Sequence, residues 1–158
     1  MYRSASYANA SVDPYQFLLA CFIQHQMASG CYHAWSGTAT LSLQVHIGAT
    51  FVYDITTKLN IQPDVYYIPR SGQQVAFDSF ILHGGSLYMY QCTGGQTHKI
   101  KDGLVNFLAS CSGLPPHANW HFVFVIPDDL VSFSCPASSN SVVRELGLYT
   151  ARISMSGT

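Results

Sequence analysis

The stretch Gln74-Val75-Ala76-Phe77-Asp78-Ser79-Phe80-Ile81-Leu82-His83-Gly84-Gly85-Ser86-Leu87-Tyr88-Met89-Tyr90-Gln91-Cys92-Thr93 decides how this chain folds. Two runs rich in aromatic and β-branched residues flank Gly84-Gly85, and a two-residue Gly-Gly loop is a strong hairpin signal. With the glycines as the turn, His83 faces Ser86 and Asp78 faces Gln91. Side chains alternate along a strand, so Asp78, Phe80 and Leu82 share a face with Leu87, Met89, Gln91 and Thr93. The pattern predicts a largely apolar face that ends in polar groups.

The surrounding sequence supplies the partners of this hairpin. Downstream, Gly94-Gly95 closes the second run. A helix is predicted from near Thr97, with His98 in its first turn and an apolar stripe of Ile100, Leu104, Phe107, Leu108 and Cys111. Trp120 to Ile126 is nearly continuous in apolar residues and suits a strand buried on both faces. Upstream, Val65 to Ile68 and Phe51 to Ile55 are strand-prone, and Leu41 to Ile47 alternates apolar with polar residues. Asp13-Pro14 opens a predicted helix running to about Met27, because Asp caps and Pro suits a first turn. The tail from Ser141 to Met155 reads as a helix and then an edge strand. The prediction is an α/β fold with a mixed central sheet flanked by helices, in a single domain over residues 1–158.

Composition bounds what such a domain does. Charged residues are 9% of the 158, against a usual quarter, while apolar residues reach 48%. A surface so poor in charge is finished by Ser, Thr, Gln and Tyr, or is covered by another chain. The second option predicts a homodimer, with a contribution from Leu146 to Met155. The net charge of −1 argues against non-specific capture of nucleic acid, which relies on many phosphate contacts. No apolar run approaches the roughly 18 residues of a membrane span, so no membrane association is expected. Residues 1–11 lack the pattern of a secretory signal. Cys21, Cys31, Cys92, Cys111 and Cys135 are odd in number and lack a CxxC spacing. They read as free thiols of an intracellular protein, cytoplasmic or nuclear.

Chemistry-bearing residues cluster at the open end of the hairpin. A carboxylate flanked by Phe77 and Phe80 is costly to bury unpaired, so Asp78 either takes hydrogen bonds or holds a cation. Gln91 either donates to Asp78 across the strands or joins it as a ligand. His98 is either a surface residue or an imidazole titrating near neutral pH beside the site. His117 and His121 have the i, i+4 spacing of zinc helices, but Pro115-Pro116 and the overlapping strand run oppose a helix there.

As a set, these residues resemble a known family. The segments Tyr66-Tyr67-Ile68-Pro69, Gln74 to Ile81, Leu87 to Thr93, His98-Lys99-Ile100-Lys101 and Trp120 to Pro127 resemble the nuclease-like domain of Crinkler and retrotransposon-hot-spot-type proteins of fungi and oomycetes. That domain belongs to the PD-(D/E)XK restriction-endonuclease superfamily, and the likeness spans roughly residues 64–127. The resemblance implies a restriction-endonuclease-like fold, DNA or RNA as partner, and Mg²⁺ held at the hairpin by Asp78 and Gln91. In that superfamily an acid on one strand, and an acid and lysine two apart on the next, bind the cation that activates water. Asp78 matches the first acid. Gln91 and Thr93 stand where the second acid and the lysine belong, and the predicted first helix carries no acid. Lys99 or Lys101 would then replace the lysine, with His98 moving a proton. The sequence therefore admits a metal-dependent nuclease or diverged nucleic-acid binder. It equally admits a catalytically inactive interaction or self-assembling module on the same fold.

Overall fold

A computed structural model describes residues 31–36, 39–44, 48–70 and 76–153, with side chains over 48–70 and 76–153. The strands are β1 (Cys31–Ser36), β2 (Ala39–Gln44), β3 (Ala49–Tyr53), β4 (Val65–Pro69), β5 (Ser79–His83), β6 (Ser86–Cys92), β7 (Trp120–Pro127) and β8 (Gly147–Ile153). They form one mixed sheet in the order β2-β1-β8-β7-β6-β5-β4-β3. The helices among the described residues are short: α1 (Gly103–Ala109), α2 (Ser141–Arg144) and a 3₁₀ turn at His117–Asn119. No helix among them is long and apolar enough to cross a membrane. The molecule is mostly β with an α/β-like core. The predicted helix from Pro14 to Met27 lies outside the described residues.

The hairpin has the predicted register, from His83 opposite Ser86 to Ser79 opposite Tyr90. Gly84 and Gly85 both adopt positive φ, at 58° and 79°, which a two-residue turn of this hand requires. β6 then runs parallel to β7, and β7 parallel to β8, with α1 and α2 in the two crossovers. Parallel neighbours need such crossovers, and both helices pack on one face. There Leu104 and Leu108 of α1 and Val143 of α2 join Phe80, Leu87, Met89, Phe122, Phe124 and Ile126 in one core. Tyr67 stacks on Phe80 with ring centroids 4.9 Å apart, and Phe77 and Phe107 meet Phe80 edge-on. The opposite face is also buried, at Tyr66, Ser79, Ile81, Tyr90, Cys92, Val123 and Val125. Trp120 to Ile126 is thus a central strand, as its apolar run predicts.

Asp64 ties the peripheral strands to the hairpin. Its backbone is left-handed at φ 61°, a conformation Asp tolerates better than most residues. In that pose its carbonyl accepts from the amides of Gly48 and Ala49 at the start of β3. Its own amide donates to the Leu82 carbonyl, and its carboxylate meets His83 Nδ1 at 2.6 Å. One residue therefore fixes where β3, β4 and β5 begin or end.

Two expectations need correction. The helix begins at Gly103 rather than near Thr97. Thr97 forms an isolated parallel bridge with Ser134 instead, in which the His98 amide donates to Ser134 O and the Ser134 amide donates to Gln96 O. Backbone groups committed to that bridge cannot open a helix. The tail contains the predicted helix and strand, α2 and β8, but β8 is not an edge. It pairs with β7 on one side and with β1 on the other, Ala34 facing Ala151. Leu146, Ala151 and Ile153 are buried, while Leu148 in the same segment is exposed. The β1 strand itself has no counterpart among the predicted elements.

After α1 the chain returns through Ser112, which bonds to both Leu59 and Ile61, and then turns at Gly113 with φ 80°. A Cβ at Gly113 would lie 2.6 Å from the Ile61 carbonyl oxygen, a backbone atom held by the sheet-side loop. Gly113→Ala is therefore expected to lower the unfolding free energy by about 1–3 kcal/mol in urea titrations.

Candidate functional site

The hairpin's open end lies beside the carboxyl ends of the parallel strands β6 and β7, where open α/β sheets usually place ligands. Cys92 is the last residue of β6, and its amide points in the sheet plane towards β5. However, β5 begins only at Ser79, so no β5 carbonyl lies opposite. The Asp78 carboxylate takes that place. Its Oδ2 accepts the Cys92 amide at 2.6 Å, while the Asp78 amide donates to the Tyr90 carbonyl at 2.7 Å. The carboxylate completes the ladder as a carbonyl would.

Gln91 does meet Asp78, as the register predicts. Its Nε2 donates to Asp78 Oδ2 at 3.3 Å and to the Cys92 carbonyl at 3.4 Å. Both partners are acceptors, which fixes the amide with its nitrogen inward. Gln91 is 7% exposed, and its Oε1 is buried with no hydrogen-bond partner. Leaving such an acceptor unsatisfied costs about 1–3 kcal/mol. Thr93 is fully buried. Its amide donates to Val125 O and its Oγ1 accepts from the Gly95 amide, so it extends the β6–β7 ladder and caps the Gly94-Gly95 turn.

The basic candidates stand differently. His98 is half-buried with its ring 5.7 Å from that of Phe124, which is the neighbour of Gln91 on β7. Its Nδ1 donates to the Lys99 carbonyl at 3.1 Å, since a carbonyl can only accept. Burial lowers the His98 pKa, and the Lys101 charge lowers it further. Lys99 and Lys101 themselves are exposed. The structure thus gathers Asp78, Gln91 and Thr93 into one hydrogen-bonded strand end, with His98 over the adjoining Phe124 and the lysines outside in solvent.

Mg²⁺ demands near-octahedral oxygen coordination at about 2.0–2.1 Å. At this strand end the NH₂ of Gln91 donates to Asp78 Oδ2 and Cys92 O, so an amide donor faces two of the oxygens a cation would need. The same Oδ2 is shared with the Cys92 amide. Among the described residues no three His, Cys, Asp or Glu side chains come together as a metal-binding group. The residues present do not fit a resident Mg²⁺.

A second polar group lies on the opposite face, at the amino ends of the parallel strands. The His121 ring stacks on Tyr88 at 5.2 Å and meets Tyr149 edge-on at 5.6 Å. Its Nδ1 is buried without a partner, and burial lowers its pKa. His117 instead packs on Trp120, on the other side of β7, so the two histidines do not form a zinc pair. The alternation of the Trp120–Ile126 run places His121 opposite the core face, but only the pairing of three strands brings both tyrosines to it. Of the cysteines, Cys111 and Cys135 are free thiols.

If Asp78 serves the ladder, Asp78→Ala should lower stability by about 1.5–3 kcal/mol, the usual worth of a charge-assisted hydrogen bond. Asp78→Asn, which keeps an oxygen acceptor, should lose less; urea unfolding reads both. His98 and His121 should titrate below about 6.5 by NMR. Because the unfolded chain binds those protons more tightly, the stability present at neutral pH should fall as pH drops through that value. Unfolding midpoints measured across that range check the sign. Comparison with protein-family models, with curated proteins and with solved structures finds no match for this chain.

Proposed function

We propose that this chain is a catalytically inactive, restriction-endonuclease-like domain that serves as an interaction module. The reading rests on the Asp78 carboxylate, which accepts the Cys92 amide at 2.6 Å and the Gln91 amide at 3.3 Å. A carboxylate so engaged holds β6 to the end of β5. The order of strands around it supports the fold assignment: β4, β5 and β6 are successive antiparallel neighbours, and a helix then leads to β7 parallel to β6. An acid at the start of the hairpin's first strand, facing the motif position on its second, is the placement that the superfamily resemblance implies. The chemistry of those positions has been replaced. An amide stands for the second acid, a buried hydroxyl for the lysine, and the available lysines point to solvent. Gln91 keeps the reach of a glutamate without its charge, whereas Thr93 is far shorter than a lysine and its hydroxyl is engaged by the Gly95 amide within the strand end.

The competing reading, a metal-dependent nuclease, draws on His98 above Phe124 next to Gln91. Purified protein incubated with supercoiled plasmid and with RNA, with Mg²⁺ or Mn²⁺, separates the two. No cleavage above a metal-free control is expected. Metal-dependent cleavage that disappears in Asp78→Asn would overturn the inactive reading.

A further inference from the structure

We propose that the open edge of β3 is a self-association surface, on which a second copy of this chain adds its own β3 antiparallel to the first. The inference rests on the interaction-module reading and names the partner. Among the described residues the sheet ends at β3, which has β4 on one side only. The hydrogen bonds that bracket this parallel pair fix which backbone groups face inward. Ala49 donates to Asp64 O, and Arg70 donates to Tyr53 O. Parallel pairing uses alternate residues of a strand, so Ala49, Phe51 and Tyr53 turn their amide and carbonyl towards β4. Thr50 and Val52 turn theirs outward, along the open edge.

That outward set is complementary to itself. An antiparallel pair centred on Phe51 places Thr50 opposite Val52 of the second copy, and Val52 opposite its Thr50. Each pair exchanges two N–H···O bonds, so the two-fold closes with four. Between them Phe51 faces Phe51 in a non-hydrogen-bonded pair, where side chains come closest and aromatic partners add stability. Phe51 is 48% and Val52 54% exposed, and Ala49 to Val52 are all exposed. The strand also lacks the usual protections of an edge. Residues 48–53 hold no charged residue and no proline. Antiparallel pairing separates the two Asp54 carboxylates to opposite ends of the ladder, opposite Gly48 rather than each other. A net charge of −1 offers little repulsion between copies.

A contact of one short strand per copy is small, so the dimer should form only at high protein concentration. Sedimentation velocity from about 5 to 500 µM should show the mass rising from 17.4 kDa towards twice that value. Val52→Pro removes an outward amide but none of the β3–β4 bonds, and should hold the chain monomeric. Thr50→Lys keeps every backbone bond and sets two cations near the axis, and should do the same. Circular dichroism checks that each variant folds. In the wild type, the Thr50 and Val52 amides should gain hydrogen-exchange protection as concentration rises. A monomer throughout the range overturns the proposal, and so does a dimer that survives both variants. The cleavage assay on the same samples reports separately on the inactive reading, since neither variant touches the hairpin.

Discussion

Burial of β6 and β7 on both faces is the constraint from which the rest of this structure follows. From Leu87 to Cys92, and from Phe122 to Ile126, every side chain is buried. Strands of that kind can sit only in the middle of a sheet with neighbours on each side. β5 and β8 supply the neighbours, and the crossovers that join parallel strands carry α1 and α2 over one face. The aromatic packing of Tyr67, Phe80, Phe77 and Phe107 extends that core outward towards β3.

The same constraint decides what polar residues at the strand ends can be. A polar group at the margin of a fully buried strand must be satisfied from within, since water reaches it poorly. Asp78 accepts the last ladder amide, Thr93 continues the ladder to Val125 and caps the turn, and the Gln91 nitrogen serves two acceptors. Gln91 Oε1 and His121 Nδ1 are left as buried polar atoms without partners. These two atoms are where the interior is least well satisfied. A site that looks catalytic in its residue types is, in its hydrogen bonds, a strand terminus.

Edges behave in the opposite way. β8 carries an apolar segment that reads as a candidate surface, yet pairing with β1 and β7 buries its margins. β3 has a shorter apolar sequence and keeps its outer side exposed. Position in the sheet, more than hydrophobicity of the segment, determines which backbone groups remain available to a second chain.

The sequence by itself determined the features set by neighbours along the chain. Gly84-Gly85 specified the hairpin and its register because a two-residue turn leaves one pairing. The unbroken apolar run of Trp120 to Ile126 specified a central strand because only two-sided burial accommodates it. The contact between Gln91 and Asp78 followed from that register. Tertiary structure alone decided the rest. His98 lost its predicted helix to a bridge with Ser134, a residue 36 positions away, whose backbone groups compete for the same bonds. The role of Asp78 depended on where β5 starts, because the carboxylate acts as a ladder acceptor only when no β5 carbonyl remains opposite Cys92. Nor does local pattern place β8 inside the sheet or Tyr149 beside His121. Those contacts join segments whose separation along the chain carries no periodic signal.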